Sequence, residues 1–128
     1  MHARSTQDMK TTITRRFTFE AAHQLPHHSG KCARLHGHSY TLEVTVGGAL
    51  LTEGSSEGMI VDFADLSKVV EHEVINQWDH QYLNNIVPFR PTVELLVGEA
   101  FSRLQRAGLP LVRVVLFETA KSCATVEH

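Results

Sequence analysis

A chain of 128 residues accommodates one folded domain and little else. With 42% hydrophobic and 20% charged residues, it falls in the ordinary globular range and outside the disordered one. The formal net charge of −2 supplies no overall basic field, and no apolar run is long enough to span a bilayer, so neither a nucleic-acid nor a membrane partner is expected. Cys32 and Cys123 are too few for a disulfide framework, which fits a reducing, cytoplasmic setting. Met1 to Lys10 is polar, lacks the apolar stretch of a secretory signal, and reads as a flexible tail ahead of a single domain over 11–128.

Thr11 to Gln24 reads as a strand, with Phe17, Phe19, Ala21 and His23 alternating onto one face. Leu25 to Ala33, with Pro26 and Gly30, reads as a loop. A second strand runs from Leu35 to Val46, rich in Thr, Val, Leu and Tyr, and Gly47-Gly48 ends it. Leu51 to Gly58 is a polar loop, and Met59 to Phe63 a short extended piece feeding a helix. Asp62 is the expected N-cap, and Asp65 lies in the first turn, where a carboxylate suits the helix dipole. Leu66, Val69, Val70, Val74 and Trp78 then follow helical spacing over roughly four turns.

Pro88 and Pro91 bracket the next loop, and Thr92 caps a second helix. Its buried stripe would be Val93, Leu96, Val97, Ala100, Phe101 and Leu104, and Gly108 and Pro110 stop it. Leu111 to Phe117 reads as a buried strand with Glu118 at its end. A last short strand is expected from Cys123 to Val126. The order β-β-α-α-β-β predicts an α+β fold of four strands backed by two helices. Two open sheet edges then predict a homo-oligomer joined edge to edge.

Nine histidines are many for this length, and five of them fall between His23 and His38. His36-Gly37-His38 puts two imidazoles on one face of the second strand, and a hairpin pairing brings His23 alongside. Three neutral imidazoles form a common catalytic Zn²⁺ arrangement, with a fourth position left open. Imidazole suits Zn²⁺ better than Mg²⁺ or Ca²⁺, while Fe²⁺ and Mn²⁺ remain compatible. Two other readings stand beside this one: hydrogen-bonded histidines without a metal, and a closed structural site with Cys32 as fourth ligand. Gly30, His36-x-His38 and Glu43 also approximate the first metal motif of the cupins, although two strong helical patterns speak against a double-sheet jelly roll.

Asp79-His80 pairs a carboxylate with an imidazole, as an acid/base couple requires, but a helix C-terminal histidine explains it equally well. Glu118 stands either at a solvated sheet rim or against a specific partner, and the rim is the simpler reading.

Taken together, the chain resembles the 6-pyruvoyl tetrahydropterin synthase family, and within it the branch of 6-carboxy-tetrahydropterin synthases of queuosine biosynthesis. The resemblance runs from Phe17 to about Cys123. It is carried by Phe17-Thr18-Phe19-Glu20-Ala21-Ala22-His23, Cys32-Ala33-Arg34-Leu35-His36-Gly37-His38, Ile60-Val61-Asp62-Phe63, Asp79-His80-Gln81-Tyr82-Leu83-Asn84, Pro91-Thr92-Val93-Glu94 and Glu118-Thr119. The short spacing of Cys32 from His36 is what points to the carboxy-forming branch.

The resemblance implies His23, His36 and His38 as Zn²⁺ ligands, Cys32 as general base, and His80 held by Asp79 in a relay with it. It further implies Glu118 as a catalytic group that anchors the pterin, with Thr92 nearby. The implied fold is the T-fold, an antiparallel four-stranded sheet with two helices on one face. Trimers of it close into a barrel and stack as a homohexamer with active sites between subunits. The implied activity is a zinc-dependent lyase acting on 7,8-dihydroneopterin triphosphate. Lys31, Arg34 and Lys121 are candidates for the triphosphate, and no motif assigns a role to Cys123, His27 or His28.

Overall fold

The structure, a computed structural model, describes residues 9–128. Most of the expected N-terminal tail lies outside the described residues. Strands β1 (Thr12–His23) and β2 (His36–Gly47) pair antiparallel along their whole length, from Thr12 opposite Gly47 to His23 opposite His36. Strand alternation sends Phe17, Phe19, Ala21 and His23 of β1, and Tyr40, Leu42, Val44 and Val46 of β2, to the buried face. The loop between these strands contains one 3₁₀ turn, Lys31–Ala33.

The helical pattern after Asp62 begins as α1 (Phe63–Val70), where Asp62 Oδ1 accepts from the Ala64 N–H at 2.7 Å. Met59 to Asp62 forms no ladder and leads straight into this cap. Past Val70 the helix widens into a π segment, Glu71–Ile75, before the short α2 (Asn76–Trp78). The sequence contains the reason. Leu66, Val70, Val74 and Trp78 are all fully buried and repeat every fourth residue. In an α-helix each such step drifts by about 40° around the axis. The i→i+5 turn advances less per residue and takes the drift back, so Trp78 stays on the core stripe.

The chain then adds two elements the sequence pattern did not reveal. A two-residue strand β3 (Gln81–Tyr82) runs parallel to β1 at Ala21 and Ala22, and α3 (Leu83–Ile86) follows it. The sheet therefore has five strands in the order β3-β1-β2-β4-β5 and is not wholly antiparallel, in place of the four expected. Two residues are too few to display a period, which is why β3 escapes a pattern reading.

Helix α4 (Val93–Arg106) begins at Thr92, whose Oγ1 accepts from the Leu95 N–H at 3.2 Å. It lays Leu96, Val97, Ala100, Phe101 and Leu104 against β4 (Leu111–Thr119) and β5 (Ser122–Glu127), while Val93 is only partly buried. Both of these strands are antiparallel to their neighbours. At the centre of the core Phe19 stacks on Tyr40 with centroids 4.9 Å apart and meets the edge of Trp78. Among the described residues no helix is long and apolar enough to cross a membrane.

Candidate metal centre

The β1–β2 register sets His23 directly across from His36, and His38 stands two positions further along the same face of β2. The three rings lie edge to face with centroids 4.5, 5.0 and 4.8 Å apart. One ligand atom from each falls within 4.8 Å of the others. The expected histidine triad is thus assembled by the hairpin-like pairing alone.

Second contacts fix which nitrogen two of the rings offer. His23 Nδ1 donates to the Pro91 carbonyl at 2.8 Å, and His36 Nδ1 donates to the Arg34 carbonyl at 2.7 Å. A carbonyl only accepts, so in the neutral ring the proton sits on Nδ1 and the Nε2 lone pair is free. Tyr40 lies beneath, fully buried, with its hydroxyl 3.5 Å from His23 Nδ1. Burial lowers the pKa of His23 and of His38 below the ordinary histidine range, the Pro91 hydrogen bond opposing it at His23 and Glu118 at His38. Both rings are therefore kept in the neutral form that binds metal.

The fit of a metal rests on an orphan pair. His23 Nε2 and His38 Nε2 are buried and have no hydrogen-bond partner. Native proteins rarely leave such atoms unsatisfied, and a cation shared with His36 satisfies both. Three imidazole donors suit Zn²⁺.

Glu118 is not the solvated rim residue of the simpler reading. It sits on the same face of β4 as Leu116, with Oε1 3.4 Å from His23 Nε2 and 3.6 Å from His38 Nε2. Cys32, in the 3₁₀ turn, is partly buried, and its carbonyl accepts from the Leu25 N–H at 2.9 Å. The converging ligand atoms come from the histidines and do not include its thiol, so the closed four-ligand site with Cys32 finds no support. The cupin reading fails as well. Glu43 has odd parity on β2, faces away from the triad, and pairs with Arg16. His28 is occupied otherwise, its Nδ1 accepting from the Gly30 N–H at 2.9 Å.

Asp79 and His80 do touch, although they are adjacent in sequence. His80 has a left-handed backbone, φ 60°, which folds its ring back until Nδ1 is 3.0 Å from Asp79 Oδ1. The Asp79 carboxylate also accepts from the Glu20 N–H at 2.9 Å, and this bond, with His80 behind it, holds its pKa below the usual carboxylate value. The His80 ring is largely exposed and lines a cleft of about 450 Å³ with Glu20, Gly37, His38 and Ser39. Glu20 and Ser39 belong to the sheet face opposite the buried histidines. Cys32 is not among the residues that line that cleft.

Thr92 spends its hydroxyl oxygen on the α4 cap, and the residue before it holds His23. Sequence reasoning missed Pro91, Arg34 and Tyr40 as supports of the triad. Two of these act through backbone carbonyls, which leave no trace in residue type.

The chain thus combines a mixed α+β fold, a five-stranded sheet with helices, with a triad of histidines at one end of the sheet that could hold a metal ion. The pattern of the 6-pyruvoyl tetrahydropterin synthase family matches residues 12–128, and the chain belongs to this family. It is 46% identical over 115 residues to the 6-carboxy-5,6,7,8-tetrahydropterin synthase of Synechocystis, covering 88% of this chain and 89% of that one. It is 34% identical over 132 residues to the enzyme of the same name from Haemophilus influenzae, covering 86% and 94%. The structure of Caenorhabditis elegans 6-pyruvoyl tetrahydropterin synthase superposes with a TM-score of 0.81 at 29% identity, covering 94% of this chain and 96% of that one.

Proposed function

We propose that the chain is a zinc-dependent lyase that converts 7,8-dihydroneopterin triphosphate, with water, to 6-carboxy-5,6,7,8-tetrahydropterin, acetaldehyde and triphosphate. The observation that carries this reading is the buried, unpartnered nitrogen pair of His23 and His38, beside His36, in a chain of this family. Its similarity to the Synechocystis enzyme favours the carboxy-forming reaction.

His23, His36 and His38 would hold Zn²⁺, which when bound polarises the hydroxyls of the substrate side chain and steadies negative charge developing on them. Cys32 takes the proton beside the ring. Glu118, close against the metal-facing nitrogens, works at the reacting end of the substrate, exchanging protons with its hydroxyls. This replaces the expected anchoring of the far pyrimidine edge, which that position does not favour.

Asp79 orients His80 for proton transfer, and the cleft that His80 lines does not include the Cys32 of its own chain. The relay therefore operates on the Cys32 of an adjoining copy, in an oligomer closed through the sheet edges as a barrel of trimers stacked into a hexamer. Thr92, next to the Pro91 whose carbonyl holds His23, would lie near the bound pterin.

Incubation with 7,8-dihydroneopterin triphosphate, followed by mass spectrometry, is expected to give 6-carboxy-tetrahydropterin and acetaldehyde. A pyruvoyl product would move the chain to the other branch, and intact substrate with zinc bound would sink the lyase reading. Cys32→Ala is expected to abolish turnover while leaving zinc content unchanged.

A further inference from the structure

The end of β1 is held from two sides, and the second side has no role so far. On one edge His23 pairs with His36. On the other, residues 79–84 run along β1 step by step. Asp79 Oδ1 accepts from the Glu20 N–H, the His80 N–H donates to the Glu20 carbonyl, and Gln81 and Tyr82 pair with Ala21 and Ala22. There the strand stops, because the chain turns into α3. The contact continues through a side chain. Asn84 Oδ1 accepts from the Gln24 N–H at 2.9 Å, and Asn84 Nδ2 donates to the Gln24 carbonyl at 2.7 Å.

A carboxamide that satisfies both main-chain groups of one residue stands in for a strand neighbour. The N–H it captures belongs to the peptide linking His23 to Gln24. Asn84 is itself well placed to be rigid, since it sits in the first turn of α3 beside the fully buried Leu83. Beyond Gln24 the chain enters the long loop to His36, where the Leu25 N–H donates to the Cys32 carbonyl, so on the β3 side of the strand the clasp at Gln24 is what carries the ladder past His23.

We propose that Asn84 is a positioning residue of the metal centre: by clasping Gln24 it fixes the backbone that carries His23. The inference rests on the metal reading of the triad. It also ties the placement of His23 to that of His80, because one ladder secures both.

The test compares Zn²⁺ affinity, by competition with a chromophoric chelator, for the wild type, Asn84→Ala, Asn84→Asp and Asp62→Ala. Asp62 caps α1 away from the triad, so its variant loses stability without touching the site. Supports of metal ligands typically contribute about 10–100-fold in affinity. Asn84→Ala is expected to lose that much, with altered visible bands of bound Co²⁺, while Asp62→Ala keeps wild-type affinity. Asn84→Asp retains the acceptor and loses the donor, so a smaller loss is expected, and it decides the matter if the alanine variant does not fold. Zn²⁺ affinity within twofold of wild type in the folded Asn84 variants would overturn the proposal alone. A wild type that binds no Zn²⁺ would overturn the metal reading, and this inference with it.

Discussion

His38 shows how much one ring decides. Its Nε2 is buried and has no hydrogen-bond partner among the described residues, and a bound cation would satisfy it. Since supports of ligands contribute about 10–100-fold, removing a ligand costs more, and His38→Ala is expected to weaken Zn²⁺ binding by more than about 100-fold. Chelator competition measures this, and retained affinity would mean that the triad is not the site.

Acid should act on the same rings in the metal-free protein. His23 and His38 have folded pKa values below the unfolded 6.5, chiefly through burial. Between the two values the unfolded chain binds more protons, so stability is complete above about pH 6.5 and is lost as pH falls through the depressed values. Urea midpoints of chelator-treated protein are expected to fall between pH 7.5 and pH 5.5, and a flat profile would refute the linkage. The triad was legible because its residue types and spacing advertise it. The carbonyls of Pro91 and Arg34 were not, since every residue has one.

Elements were legible in proportion to their length. The long strands β1 and β2 and the helices α1 and α4 show clear periods, and the helix caps at Asp62 and Thr92 are where the side-chain chemistry requires them. The two-residue β3 and the one-turn α3 have no period to read, and tertiary pairing with β1 makes them. The π segment was hidden differently: the four-residue repeat is visible, but its drift shows only when followed around a helix. Thr92→Ala is expected to cost about 1 kcal/mol through the lost cap. Leu96→Ala, which empties a fully buried site, should cost about 2–5 kcal/mol. Urea denaturation distinguishes the two, and equal small losses would mean that α4 is not firmly docked.

At the scale of the whole molecule, the sequence predicted open edges, and the family resemblance implied active sites divided between subunits across them. The cleft that His80 lines includes Glu20 and Ser39, whose side chains belong to the sheet face opposite that of the triad, and it reaches His38 as well. If sites form between copies, Cys32→Ala and a His80 variant are each inactive alone, yet after joint unfolding and refolding about one quarter of the sites regain both groups by random assortment. Recovered turnover measures this, and its absence would confine each site to a single chain. The left-handed backbone at His80 determines which variant to mix. Histidine occupies that conformation at a cost of about 1–2 kcal/mol, which glycine does not incur. His80→Gly is therefore expected to melt no lower than His80→Ala, and the space it opens beside Asp79 should admit free imidazole from the buffer, so that a small molecule restores what the chain has lost.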